Sequence, residues 1–189
     1  MKTGVFGGTF NPIHKGHLTI ARAAADAFAL DRVLFVPASS PPWKTTDTPY
    51  EHRFRMVELA CAADPRFEAS RLEQAGERNY TIETIERLKA ADAGELYFII
   101  GADAFAEIRK WHRWEDLIKQ MTFIVVSRPG HTYDVPPGAR VLRLDTVNLP
   151  ISSSAIRVSI GRAERSAELP AAVQRYIEAH SLYRSHSDS

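Results

Sequence analysis

The chain has one cysteine, Cys61, which excludes an internal disulfide framework and a cysteine-built zinc cluster. Its setting in the helical-looking run Arg53 to Ala63 suits a small buried thiol better than a nucleophile. Net charge is nearly absent. With 24 Lys and Arg against 23 Asp and Glu, nothing overall argues for a nucleic acid or a membrane as partner, so any cationic site must be local. No apolar run approaches membrane-spanning length and no secretory signal precedes the first apolar segment, so a cytoplasmic protein is expected. Without such a signal, the glycosylation-like Asn79-Tyr80-Thr81 carries no meaning as a sequon. There is no internal repeat and no low-complexity linker, and 189 residues fit a single domain with a sizeable core.

What the chain does have is concentrated near its start. Gly4-Val5-Phe6 reads as a first strand and Leu18 to Phe28 as a first helix, with Leu18, Ala21, Ala25 and Phe28 along one face. Between them lies Gly7-Gly8-Thr9-Phe10-Asn11-Pro12-Ile13-His14-Lys15-Gly16-His17. A strand, a glycine turn and a helix N-terminus together make a phosphate cradle. Glycine lets the backbone approach an anion closely, and first-turn N–H groups are free to donate. His14 and His17, three residues apart, fall on one helical face if the helix begins near His14. The glycine spacing is not that of the dinucleotide fingerprint, and no Gly-Lys-Ser/Thr follows as in a P-loop.

The remaining chain alternates in type. Val33-Leu34-Phe35-Val36 is a short buried strand, followed by the proline-rich Pro41-Pro42-Trp43-Lys44. A helix is expected over Glu51 to Ala63, a weak strand at Phe67-Glu68-Ala69, and a helix from Ile82 to about Ala91 capped by Thr81 and closed by Gly94. Leu96 to Gly101 is the clearest central strand, with short helices after it at Ala102 to Ile108 and Trp114 to Lys119. Phe123 to Val126 and Val141 to Leu144 read as strands. A helix opens at Ser152, another starts at Leu169-Pro170, and residues 185 to 189 are expected to fray. This alternation predicts a doubly wound parallel sheet of Rossmann-like α/β type, whose ligands bind at the carboxyl ends of the strands. The loops after Phe6, Val36, Ile100 and Val126 would then share one rim.

Ile151-Ser152-Ser153-Ser154-Ala155-Ile156-Arg157 forms a second concentration. Hydroxyls at a helix N-terminus can cap the backbone or donate to phosphate, and Arg157 adds a guanidinium fork one turn in. Read singly, the remaining candidates stay open: Thr81 as a cap, Trp111 as core packing, Asp103 as a cap after its strand, Lys44 as a solvated loop lysine.

The Gly/His stretch resembles the GxFxPxHxGH motif of nucleotidyltransferases, and the serine run resembles the ISSTxIR signature of adenylyltransferases, with Ser154 in place of threonine. Over nearly the whole chain the sequence resembles the bacterial nicotinate-nucleotide adenylyltransferase family. Pro41-Pro42-Trp43-Lys44 is similar to its PPHK loop with Trp43 replacing histidine, Asn79-Tyr80-Thr81 to its [SN]YT segment, and Ile99 to Asp103 to its IIGxD. The resemblance implies AMP transfer from ATP to nicotinate mononucleotide, with magnesium carried mostly on substrate oxygens and no metal bound by the protein. It implies that His14, His17, Lys44 and Arg157 act on the phosphates, with Gly7, Gly8, Thr9, Phe10, Ile151, Ser152 and Ser153 beside them. Gly101 and Asp103 would meet adenosine, Trp111 the pyridine ring, and main-chain amides near Thr81 and His112 the nicotinate carboxylate.

No nucleic acid or membrane partner is implied, and a homo-oligomer stays open. The alternatives are phosphopantetheine or nicotinamide mononucleotide as acceptor, or a nucleotide-sensing module that binds ATP without turnover.

Overall fold

The computed structural model describes residues 1–39, 47–73, 79–145 and 151–184. The proline-rich residues 41–44, Lys44 among them, and the fraying expected over 185–189 lie outside the described residues.

Six strands form one sheet in the order β3-β2-β1-β4-β5-β6, comprising β1 (Lys2–Gly8), β2 (Arg32–Pro37), β3 (Phe67–Ala69), β4 (Glu95–Gly101), β5 (Thr122–Ser127) and β6 (Arg140–Asp145). All the pairings are parallel, running from Gly8 against Pro37 in one direction to Gly101 against Val126 in the other. Continuous apolar sequence explains the centre: Val33 to Val36 and Leu96 to Ile100 are buried on both faces, as strands covered by helices must be. Edge strand β6 alternates with charge and is largely half-exposed. Strand order reverses between β1 and β4, so the carboxyl ends of these two strands flank the switch point where a crevice opens in such sheets.

Helices cover both faces. The core on one side joins α1 (Lys15–Phe28), α2 (Tyr50–Cys61), α6 (Ser153–Gly161) and α7 (Ala171–Ala179) to Phe6, Phe35 and Ile99. The other side joins α3 (Thr81–Ala90), α4 (Ala102–Ala106), a 3-10 turn (Ile108–Lys110) and α5 (Trp114–Gln120) to Val5, Phe98 and Phe123. None of the helices among the described residues is long and apolar enough to cross a membrane.

Three boundaries differ from expectation for local reasons. Helix α1 starts at Lys15 rather than Leu18, because His14 is its N-cap and His17 Nδ1 accepts the His14 N–H at 3.1 Å. Helix α3 starts one residue before Ile82. Tyr80, not Thr81, is its N-cap, because the Glu83 carboxylate reaches back to the Tyr80 N–H at 3.2 Å. Its left-handed exit falls on Asp92 (φ 52°), ahead of Gly94 (φ 81°).

Candidate active site

Strand β1 delivers Gly7 and Gly8 to the carboxyl rim, and the chain then turns sharply through Thr9 and Phe10. Phe10 is buried with φ 48°, a left-handed conformation that a bulky residue adopts only when its surroundings impose it. Its ring folds back on Gly8, where a Cβ would come within 3.3 Å of it. A cis Asn11–Pro12 peptide follows, and the chain enters α1 at His14.

His14 is buried and His17 partly so, and their rings stack with centroids 3.7 Å apart. Gly16 makes room for this: a Cβ there would stand 3.0 Å from the His14 ring. Phe10 meets the His17 ring edge-on at 5.1 Å. Burial pushes the His14 imidazolium down to about 4. Burial, followed by the neighbouring His14, pushes His17 down to about 3. Both rings are therefore neutral at pH 7. Because His17 Nδ1 accepts a hydrogen bond from the His14 backbone, its proton resides on Nε2, which is the end left to donate. His14 Nδ1 is buried with no hydrogen-bond partner among the described residues.

Of the amides at this helix start, expected from the motif to be free to donate, three are engaged within the protein. The N–H groups of His14, Lys15 and His17 are taken up by His17 Nδ1, Glu168 O and His14 O respectively. The side chains and the helix dipole remain. Like α7 at the far end of the chain, α1 and α6 carry no acidic residue in their first turns, whereas α2, α3, α4 and α5 all do. At the two helix starts on this rim, α1 and α6, the positive ends are thus left without a first-turn acid, the condition under which an external anion is favoured.

These two helix starts meet. Ser153 Oγ donates to Pro12 O at 2.9 Å, Arg157 donates to Asn11 O at 2.8 Å and to Ser154 Oγ at 3.3 Å, and Ile151 reaches the position where a Gly16 Cβ would stand. Ser152 caps α6 through the Ala155 N–H at 3.0 Å. The two motifs, far apart in sequence, are one structural unit.

Across the switch point, Gly101 ends β4 and Asp103 lies exposed in the first turn of α4. A Cβ on Gly101 would meet no atom of the described residues within 4 Å apart from its chain neighbours. Trp111 follows the 3-10 turn and packs edge-on against Phe98 at 6.1 Å. His112 is exposed and lies over Tyr80, with ring centroids 4.2 Å apart, which brings the Asn-Tyr-Thr segment and the Trp111-His112 segment together beside Thr81. Asn79 extends the link by donating to Ser39 Oγ at 3.2 Å, just beyond β2. Every described candidate thus lies in segments joined at this rim. Among the described residues no cluster of three or more His, Cys, Asp or Glu could hold a metal ion.

Three participants escaped sequence reasoning. Arg53, on α2, is 1% exposed and donates to four main-chain carbonyls: Thr9 at 2.9 Å, Ala38 at 2.7 Å, Ser39 at 3.2 Å and Thr48 at 3.2 Å. Its only sequence signal is position, since it sits on the apolar face of α2 between Tyr50 and Val57. Tyr183 donates to Asn11 Oδ1 at 2.6 Å from the far end of the chain, and no local pattern announces it. Tyr80 appears within a matched triplet, but its ring contact with His112 depends on tertiary structure.

Residues 5–159 match the cytidylyltransferase-like family. The chain is 54% identical to a protein of Solibacter usitatus named as a probable nicotinate-nucleotide adenylyltransferase, over 97% of this chain and all of that one. It is 43% identical to a protein of the same name from Thermus thermophilus, again over 97% and 100%. In fold it is similar to Plasmodium falciparum nicotinic acid mononucleotide adenylyltransferase complexed with NaAD, with TM-score 0.82, 20% identity, and coverage of 96% of this chain and 97% of that one. With a relative of this identity spanning nearly its whole length, the chain belongs to the nicotinate-nucleotide adenylyltransferase family.

Proposed function

We infer that the protein transfers AMP from ATP to nicotinate mononucleotide, forming nicotinate adenine dinucleotide and pyrophosphate for NAD biosynthesis. The observation that carries this reading is the docking of the serine-rich start of α6 onto the Gly/His turn, through Ser153 on Pro12 O and Arg157 on Asn11 O. It builds one anion site from two motifs at the β1/β4 switch point. Family membership supplies the acceptor.

In the proposed reaction, the 5′-phosphate of nicotinate mononucleotide attacks the α-phosphorus of ATP in line, a P–O bond forms, and the bond to pyrophosphate breaks. The nucleophile is already an ionised phosphate, so neither a general base nor a covalent enzyme intermediate is required. Catalysis then consists of positioning and charge stabilisation. His17 contributes a neutral Nε2–H, held in that tautomer by the His14 amide. Fixed positive charge comes from Arg157 and, by the family resemblance, Lys44, with the Ser152 and Ser153 hydroxyls beside the phosphates. Gly7, Gly8, Thr9, Phe10 and Ile151 form the floor. Gly101 and Asp103 are proposed for adenosine, with the carboxylate suited to ribose hydroxyls. Trp111 is proposed to stack on the pyridine, while main-chain amides near Thr81 and His112 donate to the nicotinate carboxylate. Amide donors suit a carboxylate, whereas a carboxamide would turn its own NH₂ toward at least one of them.

ATP enters as its magnesium complex, the metal travelling on substrate oxygens. We place the reaction in the cytoplasm.

The test is pyrophosphate release with magnesium and ATP, offering nicotinate mononucleotide, nicotinamide mononucleotide and phosphopantetheine separately. Strong preference for the first is expected. Preference for the second would overturn the roles around Thr81 and His112, and turnover of the third alone would reduce Trp111 to packing. ATP binding without turnover of any acceptor would replace the enzyme with a nucleotide sensor.

A further inference from the structure

Arg53 is a fully buried cation with which no carboxylate among the described residues pairs, and it spends its donors on main-chain oxygens instead. A desolvated guanidinium satisfied only by carbonyls keeps its full charge uncancelled inside the fold. Three of those carbonyls, Thr9, Ala38 and Ser39, lie just past the ends of β1 and β2, on the rim where the candidate site opens. Carbonyl oxygens at such a rim would repel a polyphosphate, and Arg53 engages them from inside.

The Thr9 bond has a further geometric consequence. In a trans peptide the C=O and the following N–H point in opposite directions. Holding Thr9 O toward Arg53 therefore turns the Phe10 N–H away from it. This is also the peptide that leads into the left-handed Phe10, so its orientation is one the chain would not adopt unaided.

We propose that Arg53 is a positioning residue for ATP: by holding the Thr9 carbonyl it fixes the Thr9–Phe10 peptide with the Phe10 N–H presented to the nucleotide phosphates, and its buried charge adds to the attraction. This deepens the function proposed above and rests on the ATP half of that reading. Lysine at position 53 would retain the charge but cannot reach four acceptors with one ammonium group.

The first measurement uses the unaltered protein. In ¹⁵N–¹H spectra the Phe10 amide should shift on titration with α,β-methylene-ATP and magnesium; a Phe10 resonance indifferent to saturating nucleotide would overturn the proposal without any variant. The second uses Arg53→Lys and Arg53→Gln, with folding verified by thermal melting. KM for ATP should rise on the order of 10- to 100-fold, the size expected for a misplaced contact, and further in Arg53→Gln than in Arg53→Lys. KM for nicotinate mononucleotide should stay within about twofold. A merely structural role would instead lower the melting temperature and the active fraction with both KM values unchanged, and that outcome refutes positioning. If the wild-type protein turns over no nicotinate mononucleotide, the acceptor assignment falls while the nucleotide titration still judges Arg53.

Discussion

The imidazoles of His14 and His17 stack 22° from parallel with centroids 3.7 Å apart, and His17 Nδ1 accepts the His14 main-chain N–H. Two imidazolium ions could not share that geometry, so the pair is folded in its neutral form. Unfolded imidazoles titrate near 6.5, whereas the folded ones are pushed down to about 4 and about 3. Between about pH 6.5 and pH 4 the unfolded chain therefore binds more protons, and the pair's contribution to stability is lost as the pH falls. Glu73, pushed up to about 7 by burial, acts with opposite sign over the same window, so the effect is read as a difference. Denaturant unfolding at pH 7 and pH 5 should show a smaller loss on acidification in a His14→Asn/His17→Asn double variant than in the wild type. Equal losses would remove the pair as the source.

His17→Ala should lower turnover by on the order of 10² to 10³, the cost of a missing transition-state donor, with circular dichroism unchanged. A loss below about tenfold in a folded variant would strip His17 of that role.

Gly101 is glycine for a reason other than backbone freedom. Its φ of −70° and ψ of 150° suit any residue, and an added Cβ touches none of the described residues beyond its chain neighbours. Gly101→Ala should therefore melt close to the wild type, the gain of about 0.4–1 kcal/mol from the stiffer unfolded chain being offset by alanine's poorer fit as the N-cap of α4. KM for ATP should nonetheless rise on the order of tenfold, equivalent to about 1.4 kcal/mol. An unchanged KM would release Gly101 from the adenosine contact.

Trp111 combines packing on Phe98 with its proposed platform role. Trp111→Ala should lower the melting temperature and raise KM for nicotinate mononucleotide on the order of tenfold, leaving KM for ATP near its original value. A variant that only melts earlier would make the residue core.

Chelation by EDTA should stop turnover and leave the melting temperature unchanged, since the proposed magnesium arrives with ATP. A fall in melting temperature would reveal a metal held by the protein.

The sheet was largely legible because buried parallel strands announce themselves: Val33 to Val36 and Leu96 to Ile100 are unbroken apolar runs, and even three-residue β3 was marked by Phe67. The Gly/His and serine-rich segments stood out because each concentrates its glycines, histidines or hydroxyls in a few consecutive positions, whereas their contact with each other did not. Helix starts were less so, because His14 and Tyr80 act as caps only through His17 and Glu83 one turn later. The partner of the Lys15 N–H was not legible, since Glu168 is supplied from far down the chain. Arg53 and Tyr183 act through main-chain carbonyls and an asparagine that only tertiary folding brings near, and no one-dimensional pattern records such partners.

The bond from Tyr183 to Asn11 spans 172 positions of sequence, and those from Arg157 and Ser153 to the same turn span 146 and 141. During synthesis on the ribosome, the Gly/His turn therefore emerges long before the residues that brace it. A nascent chain extending only through α5 would carry that turn with Asn11 O, Pro12 O and Asn11 Oδ1 lacking these three donors. Bracing of this turn thus awaits the synthesis of residues 153–183, and a truncation ahead of Tyr183 would act at Asn11.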